Sequence, residues 1–247
     1  MTKTVFFTLV DDRYYYPCGT PILINSFKRW HPDVDLIVFR QDMIDKVFKE
    51  KSINFYMAKP TFAKLLTPYY DQVVNIDADH IVLSRLDSIL KGDYDIGCPI
   101  NKNDYENTSV ENVTEDMYLQ GGMVASTNEK FWDIWEEKNR NAMEYKCKEN
   151  DVMNLVIYND PIVSKMRLKI FDKDKDYYGC KSLNRESEFY LKGDKVMCRK
   201  EQVFLYHVAK GERFPKFQFE KMGFTQEVAD YMKALAFYGK SVRYGTL

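Results

Sequence analysis

Apolar residues fall in two rhythms along this chain. Residues 5–10, broken only by Thr8, and residues 36–39 are short apolar runs, rich in Val, Ile and Phe. Runs of that length and composition predict buried strands. Between them Ile22, Leu23, Ser26, Phe27 and Trp30 recur at helical spacing, and Pro17 suits the first turn of that helix. Strand, turn, helix, strand is how a nucleotide-binding βαβ unit begins. Residues 42–50 predict a surface helix, and residues 61–66 another, ended by Pro68. Residues 72–76 read as a buried strand, with Val73, Val74 and Ile76 β-branched, and apolar Ile81, Val82 and Leu83 follow.

The second half repeats the two rhythms. Residues 95–100 predict a strand. Residues 101–116 are polar and aperiodic, a loop long enough to serve as a lid or acceptor-side segment. Residues 118–126 predict a strand whose paired Gly121 and Gly122 allow a ligand close to the backbone. Residues 128–145 form a helix capped by Asn128, with Phe131, Ile134 and Trp135 on its apolar face. Residues 150–154 open another helix. Residues 203–208 predict a strand ending near His207, and residues 225 to about 238 a last helix, with Thr225 as its cap.

Composition narrows the class. The 247 residues suffice for one large α/β domain or two small ones. With 36 basic and 37 acidic residues the chain has no nucleic-acid footprint. No run approaches the roughly 20 apolar residues of a membrane span. The apolar run near the N-terminus is cut short by Asp11 and Asp12, too early for a signal peptide, so the expected location is cytoplasmic. The five cysteines are scattered and odd in number, which reads as reduced thiols. Two Asn-x-Ser/Thr matches, at Asn107 and Asn112, are then chance matches in a polar loop.

The chemistry concentrates at Asp77-Ala78-Asp79, directly after a buried strand. Residues two apart on a strand share a face, with Cα atoms roughly 6–7 Å apart. Two carboxylates about 4 Å apart repel by on the order of 4 kcal/mol at an effective dielectric of 20. A divalent cation between them turns repulsion into attraction, and oxygen ligands suit Mn²⁺ or Mg²⁺. The plainer reading is that Asp77 caps a turn and Asp79 starts a helix. No glycine-rich phosphate loop is present, so a diphosphate would be held by the metal. The acidic stretch from Asp172 looks briefly like a calcium loop, but Tyr177 and Leu183 stand where glycine and glutamate are required.

Lys64-Leu65, Tyr70-Asp71-Gln72-Val73 and Asp77-Ala78-Asp79 together resemble the central segment of glycogenin-type, family-8 glycosyltransferases. That resemblance implies an α/β GT-A fold, a Rossmann-like nucleotide-binding half whose central mixed sheet is flanked by helices. It also implies transfer of a sugar from a UDP-sugar with Mn²⁺ and retention of configuration. The family's opening is similar to Thr8 to Tyr14, which implies that Thr8 and Val10 border the uracil and that Tyr14 or its neighbours stack on the base. Lys64 would face the donor beside Asp77, Ala78 and Asp79; taken alone it is equally a solvated lysine.

The stretch around Gly121-Gly122 resembles the family's Phe-Asn-Ser-Gly-Val, with Gly122 on its glycine. Gln120 stands where the family has Asn, and Gly121 where it has Ser, which puts sugar specificity in question. Asp151 resembles the aspartate that contacts the donor sugar, and is otherwise a helix N-terminal acid. The family closes its site with His-x-x-Gly-x-x-Lys-Pro-Trp. His207 matches and would complete the metal shell, while Gly211 is one residue late, and Lys210 and Arg213 compete for the diphosphate.

The expectation is one GT-A domain, with a nucleotide-binding half over about residues 1–100, an acceptor-side half over 101–216, and a C-terminal helix. Its substrates would be a UDP-hexose, UDP-glucose first, and a glycan or protein hydroxyl. The rivals are a haloacid-dehalogenase-like phosphohydrolase and an idle nucleotide-sugar binder. The former needs a hydroxyl where this chain has Ile81.

Overall fold

A computed structural model of the chain describes residues 2–11, 20–47, 55–100, 110, 113–145, 149–171, 186–208 and 219–237. In chain order the elements are β1 (Thr4–Val10), α1 (Thr20–Trp30), β2 (Asp35–Arg40), α2 (Gln41–Val47) and α3 (Lys59–Leu66). Then come β3 (Gln72–Ile76), β4 (His80–Val82), α4 (Asp87–Leu90), β5 (Ile96–Pro99) and β6 (Met123–Ser126). The rest are α5 (Glu129–Tyr145), α6 (Glu149–Asn159), β7 (Leu168–Phe171), β8 (Phe189–Lys192), β9 (Lys195–Cys198), β10 (Glu201–Gln202), β11 (Leu205–His207) and α7 (Gln226–Phe237).

Six strands form the main sheet, in the order β2-β1-β3-β6-β5-β7. β1 is parallel to β2 and β3, and β5 to β7, while β6 runs against both of its neighbours. β3 lies inside this sheet and all its residues are buried, which is why its sequence is apolar rather than alternating. Val73 faces a core built with Phe7, Phe62, Trp132, Trp135 and Met153 from β1, α3, α5 and α6. Val74 and Ile76 face the opposite layer, with Phe6, Leu23, Phe27 and Ile89 from β1, α1 and α4. The α/β class with a central mixed sheet between helical layers is therefore the observed architecture.

Two smaller sheets complete the described residues. β8, β9 and β10 form an antiparallel ribbon, and β11 pairs with β4. The turn between β8 and β9 uses Gly193 at φ 64, a backbone angle that favours glycine. α7 buries Val228, Met232 and Leu235 against Phe189, Tyr206 and Phe224. Thr225 Oγ1 accepts from the Val228 N–H at 3.4 Å, and Asn128 Oδ1 from the Lys130 N–H at 3.0 Å, so both expected caps are in place.

The expected strand over 118–126 is shorter. Leu119 makes only a bridge to Ile100, and regular pairing begins at Met123. Between them Gly121 and Gly122 turn, and the turn belongs to the site.

Candidate functional site

The topology brings four chain segments to the carboxyl end of β3. α3 precedes β3 and packs beside it, so its N-terminus, Lys59, lies at that end. β6 runs antiparallel to β3, with Ile76 opposite Met123, so the glycine pair before Met123 lands there too. The Asp77 N–H donates to the Gly122 carbonyl at 2.8 Å. β11 enters alongside β4, with His207 directly opposite His80. The first turn of α6 closes the group.

One half of the site holds Asp79 and the histidines. Asp79 Oδ1 lies 3.2 Å from His207 Nε2, and both side chains are 7% exposed. The Gln120 side-chain amide meets the other ring nitrogen, Nδ1, at 2.8 Å. That contact fixes the ring's orientation and aims Nε2 at Asp79. The His80 ring stacks on His207 with centroids 4.1 Å apart. Ligand atoms of Asp79, His80 and His207 fall within 4.8 Å of one another. Burial opposes ionisation of Asp79, but the His207 ring outweighs it and holds the carboxyl well below its usual range. Burial lowers His80 well below an ordinary histidine, so its ring is neutral.

The other half is built on Lys59. Its ammonium reaches Asp77 Oδ1 at 2.7 Å and Glu149 Oε1 at 2.7 Å, and donates to the Gly121 carbonyl at 2.9 Å. All three of its protons are thereby used. Its side chain is 4% exposed; burial works against the charge, yet the Asp77 and Glu149 carboxylates raise its pKa above the lysine range. Glu149 must share that one ammonium with Asp77. Burial therefore wins, and the Glu149 pKa is pushed up to about 7. Asn150 Oδ1 accepts from the Gly121 N–H at 2.9 Å.

The glycines are where the halves meet. A Cβ on Gly122 would stand 2.9 Å from His207 Cε1 and 3.3 Å from Asp77 Oδ2. A Cβ on Gly121 would stand 2.7 Å from Asn150 Oδ1. Side chains at either position would displace the groups they support. With Asp77 Oδ1 held by Lys59, Oδ2 remains on the Gly122 side.

Among the expected site residues, Asp77, Ala78, Asp79, Gln120, Gly122 and His207 come together. Thr8 and Val10 lie at the carboxyl end of the neighbouring β1, both buried, and Thr8 Oγ1 has no hydrogen-bond partner among the described residues. Lys64 lies elsewhere. It is about 7.5 Å further along α3 than Lys59 and turned by about 140°. It meets Glu136 at 2.6 Å and Asp133 at 3.0 Å on α5. Asp151 is buried and accepts from the Tyr118 hydroxyl at 2.8 Å. Tyr14, Lys210, Gly211 and Arg213 lie outside the described residues.

Lys59, His80, Glu149 and Asn150 are site residues that the sequence reading does not single out. For Lys59 a signal existed, because Pro60 marks the first helical turn and places Lys59 at the end of α3 nearest the carboxylates.

No family model matches this chain, and no curated protein does. Solved structures do. The bifunctional glycosyltransferase WbbM aligns with a TM-score of 0.59 at 14% identity, over 96% of this chain and 50% of its own. The galactosyltransferase LgtC, solved with donor and acceptor sugar analogues, aligns with a TM-score of 0.54 at 15% identity, over 96% of this chain and 97% of its own. GlyE of Streptococcus pneumoniae gives 0.55 at 12% identity, over 96% of this chain and 61% of its own. The fold is GT-A. At these identities the likeness concerns architecture; what the chain does must come from its own residues. Among the described residues no helix is long and apolar enough to cross a membrane.

Proposed function

We propose that this chain is a metal-dependent glycosyltransferase that moves a hexose from a UDP-sugar to an acceptor hydroxyl. The observation that carries the reading is the approach of Asp79 to His207 at 3.2 Å, with Asp77 Oδ2 and His207 on the same side of Gly122, at the carboxyl end of a central strand on a GT-A fold. In open α/β sheets that edge is where ligands bind. Two carboxylates and one imidazole suit Mn²⁺, with Mg²⁺ as the harder alternative. Asp77 Oδ2, Asp79 and His207 Nε2 would hold the ion. When bound, it supplies positive charge against a diphosphate leaving group.

The remaining residues prepare that site. Lys59 fixes Asp77 through Oδ1, which leaves Oδ2 for the ion. Gln120 Nε2–H donates to His207 Nδ1 and holds the ring with Nε2 facing Asp79, and that nitrogen gives up its proton to take the ion. Glu149 and Asn150, on the Gly121 side, present an acid and an amide suited to sugar hydroxyls. Thr8 and Val10, at the end of β1, border the nucleotide, as the family resemblance implies. The same resemblance supports retention of configuration and UDP-glucose as the first donor to try. A glycan or protein hydroxyl is the acceptor class.

The test is UDP release from a panel of UDP-sugars, with Mn²⁺ and with EDTA. Slow hydrolysis of one donor, abolished by EDTA and by Asp79→Ala in a folded variant, is the expected result. Turnover in EDTA, or full turnover by Asp79→Ala, would sink the metal assignment. Absence of UDP binding in the presence of Mn²⁺ would sink the transferase reading as a whole.

A further inference from the structure

His80 touches every arm of the proposed ligand set. It closes the turn that carries Asp77 and Asp79: its backbone N–H donates to the Asp77 carbonyl at 3.2 Å, and its Nδ1 lies 3.0 Å from the same oxygen. A carbonyl only accepts, so Nδ1 carries the proton. Across the strand pair the His80 ring covers His207, with an interplanar angle of 12°. The residue is fully buried.

By distance alone His80, rather than Asp77, would complete a ligand set with Asp79 and His207. The ring planes argue against that. Imidazole lone pairs lie in the plane of the ring, and a metal on His207 sits in that plane, about 2.1 Å from the nitrogen. A ring stacked nearly parallel, roughly 3.5 Å above, directs its own lone pair past the ion rather than at it. The His80 Nδ1 is in any case committed to the Asp77 carbonyl.

We propose that His80 is a positioning residue, whose ring braces His207 while its Nδ1–H locks the Asp77–Asp79 turn, so that the ligand set is formed before the ion arrives. This rests on the metal-dependent reading above. Outer-shell partners of metal ligands commonly govern affinity by about 10–100-fold. Here one side chain fills that role for ligands from two separate strands, β4 with its preceding turn and β11.

Mn²⁺ binding in the presence of UDP, followed by loss of the free-ion electron paramagnetic resonance signal, tests this directly. Wild type should bind, and His80→Leu should bind about 10–100-fold more weakly. His80→Phe keeps a flat ring over His207 and should recover much of that loss. Leu binding as tightly as wild type overturns the proposal, and Phe binding no better than Leu overturns the brace. Wild type that does not bind Mn²⁺ overturns the metal reading itself, a different failure. Pulsed resonance on the wild-type complex needs no variant to fold. One coordinating imidazole nitrogen is expected, and two would make His80 a ligand and overturn the proposal.

Discussion

Lys59 and Lys64 sit towards opposite ends of α3, and each meets two carboxylates. Lys59 pairs with Asp77 and Glu149, and Lys64 with Asp133 and Glu136. The stoichiometry is the same and the environment is not. The Lys59 side chain is 4% exposed and Lys64 is 34% exposed. The glutamates respond in opposite senses. Burial opposes ionisation of both. At Glu136 the bonds from Lys64, Thr61 and Arg140 outweigh it, and the pKa is lowered from its ordinary value. At Glu149 one ammonium is divided between two acids, burial prevails, and the pKa is pushed up to about 7. A satisfied ion pair is structural. A partly buried pair of acids that shares one buried ammonium is poised for a ligand that brings further positive charge.

Lys59→Met gives the largest expected effect. It leaves Asp77 and Glu149, whose side chains are 26% and 14% exposed, without their shared partner. Breaking a buried pair from one side costs about 3–5 kcal/mol. For a chain of this size that is a fall of roughly 6–20 °C in melting temperature. Calorimetric melting checks it, and a fall of under two degrees would mean that the Lys59 group is as solvated as the Lys64 group.

Gly122→Ala attacks the same end of α3 from the other side. The added Cβ, 2.9 Å from His207 Cε1 and 3.3 Å from Asp77 Oδ2, forces the ring or the carboxylate aside. A displacement of that kind costs about 10²-fold in turnover when the group is catalytic. UDP release should fall by that factor with far-ultraviolet circular dichroism unchanged. Unaltered release would mean that the Asp77–His207 approach is incidental to the chemistry.

Glu149→Gln sharpens the contrast between the glutamates. A raised carboxyl pKa means that the folded state holds its proton over a range where the unfolded chain has lost it. Stability then falls as pH rises from about 4.5 to about 7. Glu136 has the opposite sign: its contribution is present above the unfolded value and is lost as pH falls through its depressed one. Replacing Glu149 should flatten the decline above pH 4.5 by about 1–3 kcal/mol. Denaturant midpoints at pH 5 and pH 8 measure it, and an unchanged slope would show that Glu149 ionises freely in the folded chain.

The contrast also explains what the sequence could disclose. Strand and helix rhythms are local, so β1, β3, α5 and α7 were legible from the apolar pattern. Asp77 and Asp79 were legible because two acids after a buried strand need a reason. The choice between Lys59 and Lys64 was not, because one helix carries both and periodicity does not say which end meets a distant strand. Asp151 and Glu149 pose the same difficulty. Both lie in the first turn of α6, and Asp151, Val152, Met153, Asn154, Val156 and Ile157 are all buried. A helix enclosed on most sides shows no clear stripe from which to phase its polar residues. The β8–β9 hairpin was not foreseen, because Lys192 and Lys195 flank its Gly193-Asp194 turn and leave only short apolar runs on either side. His80 reads as an ordinary strand residue until β11 is seen across from it.

Lys64→Met should have the smallest effect, and it closes the comparison. Losing Lys64 does not orphan Glu136, which keeps Arg140 at 2.9 Å and accepts from the Thr61 hydroxyl at 2.8 Å. Asp133 is 36% exposed and returns to water. Partly exposed pairs contribute less than about 1 kcal/mol. UDP release should stay within about twofold of wild type, because the side chain points to α5 and not to β3. Raising salt should narrow the stability gap between Lys64→Met and wild type, since partly exposed charges are screened. The gap between Lys59→Met and wild type should persist, since a buried group is screened much less. If salt narrows both gaps equally, burial is not what separates the two ends of α3.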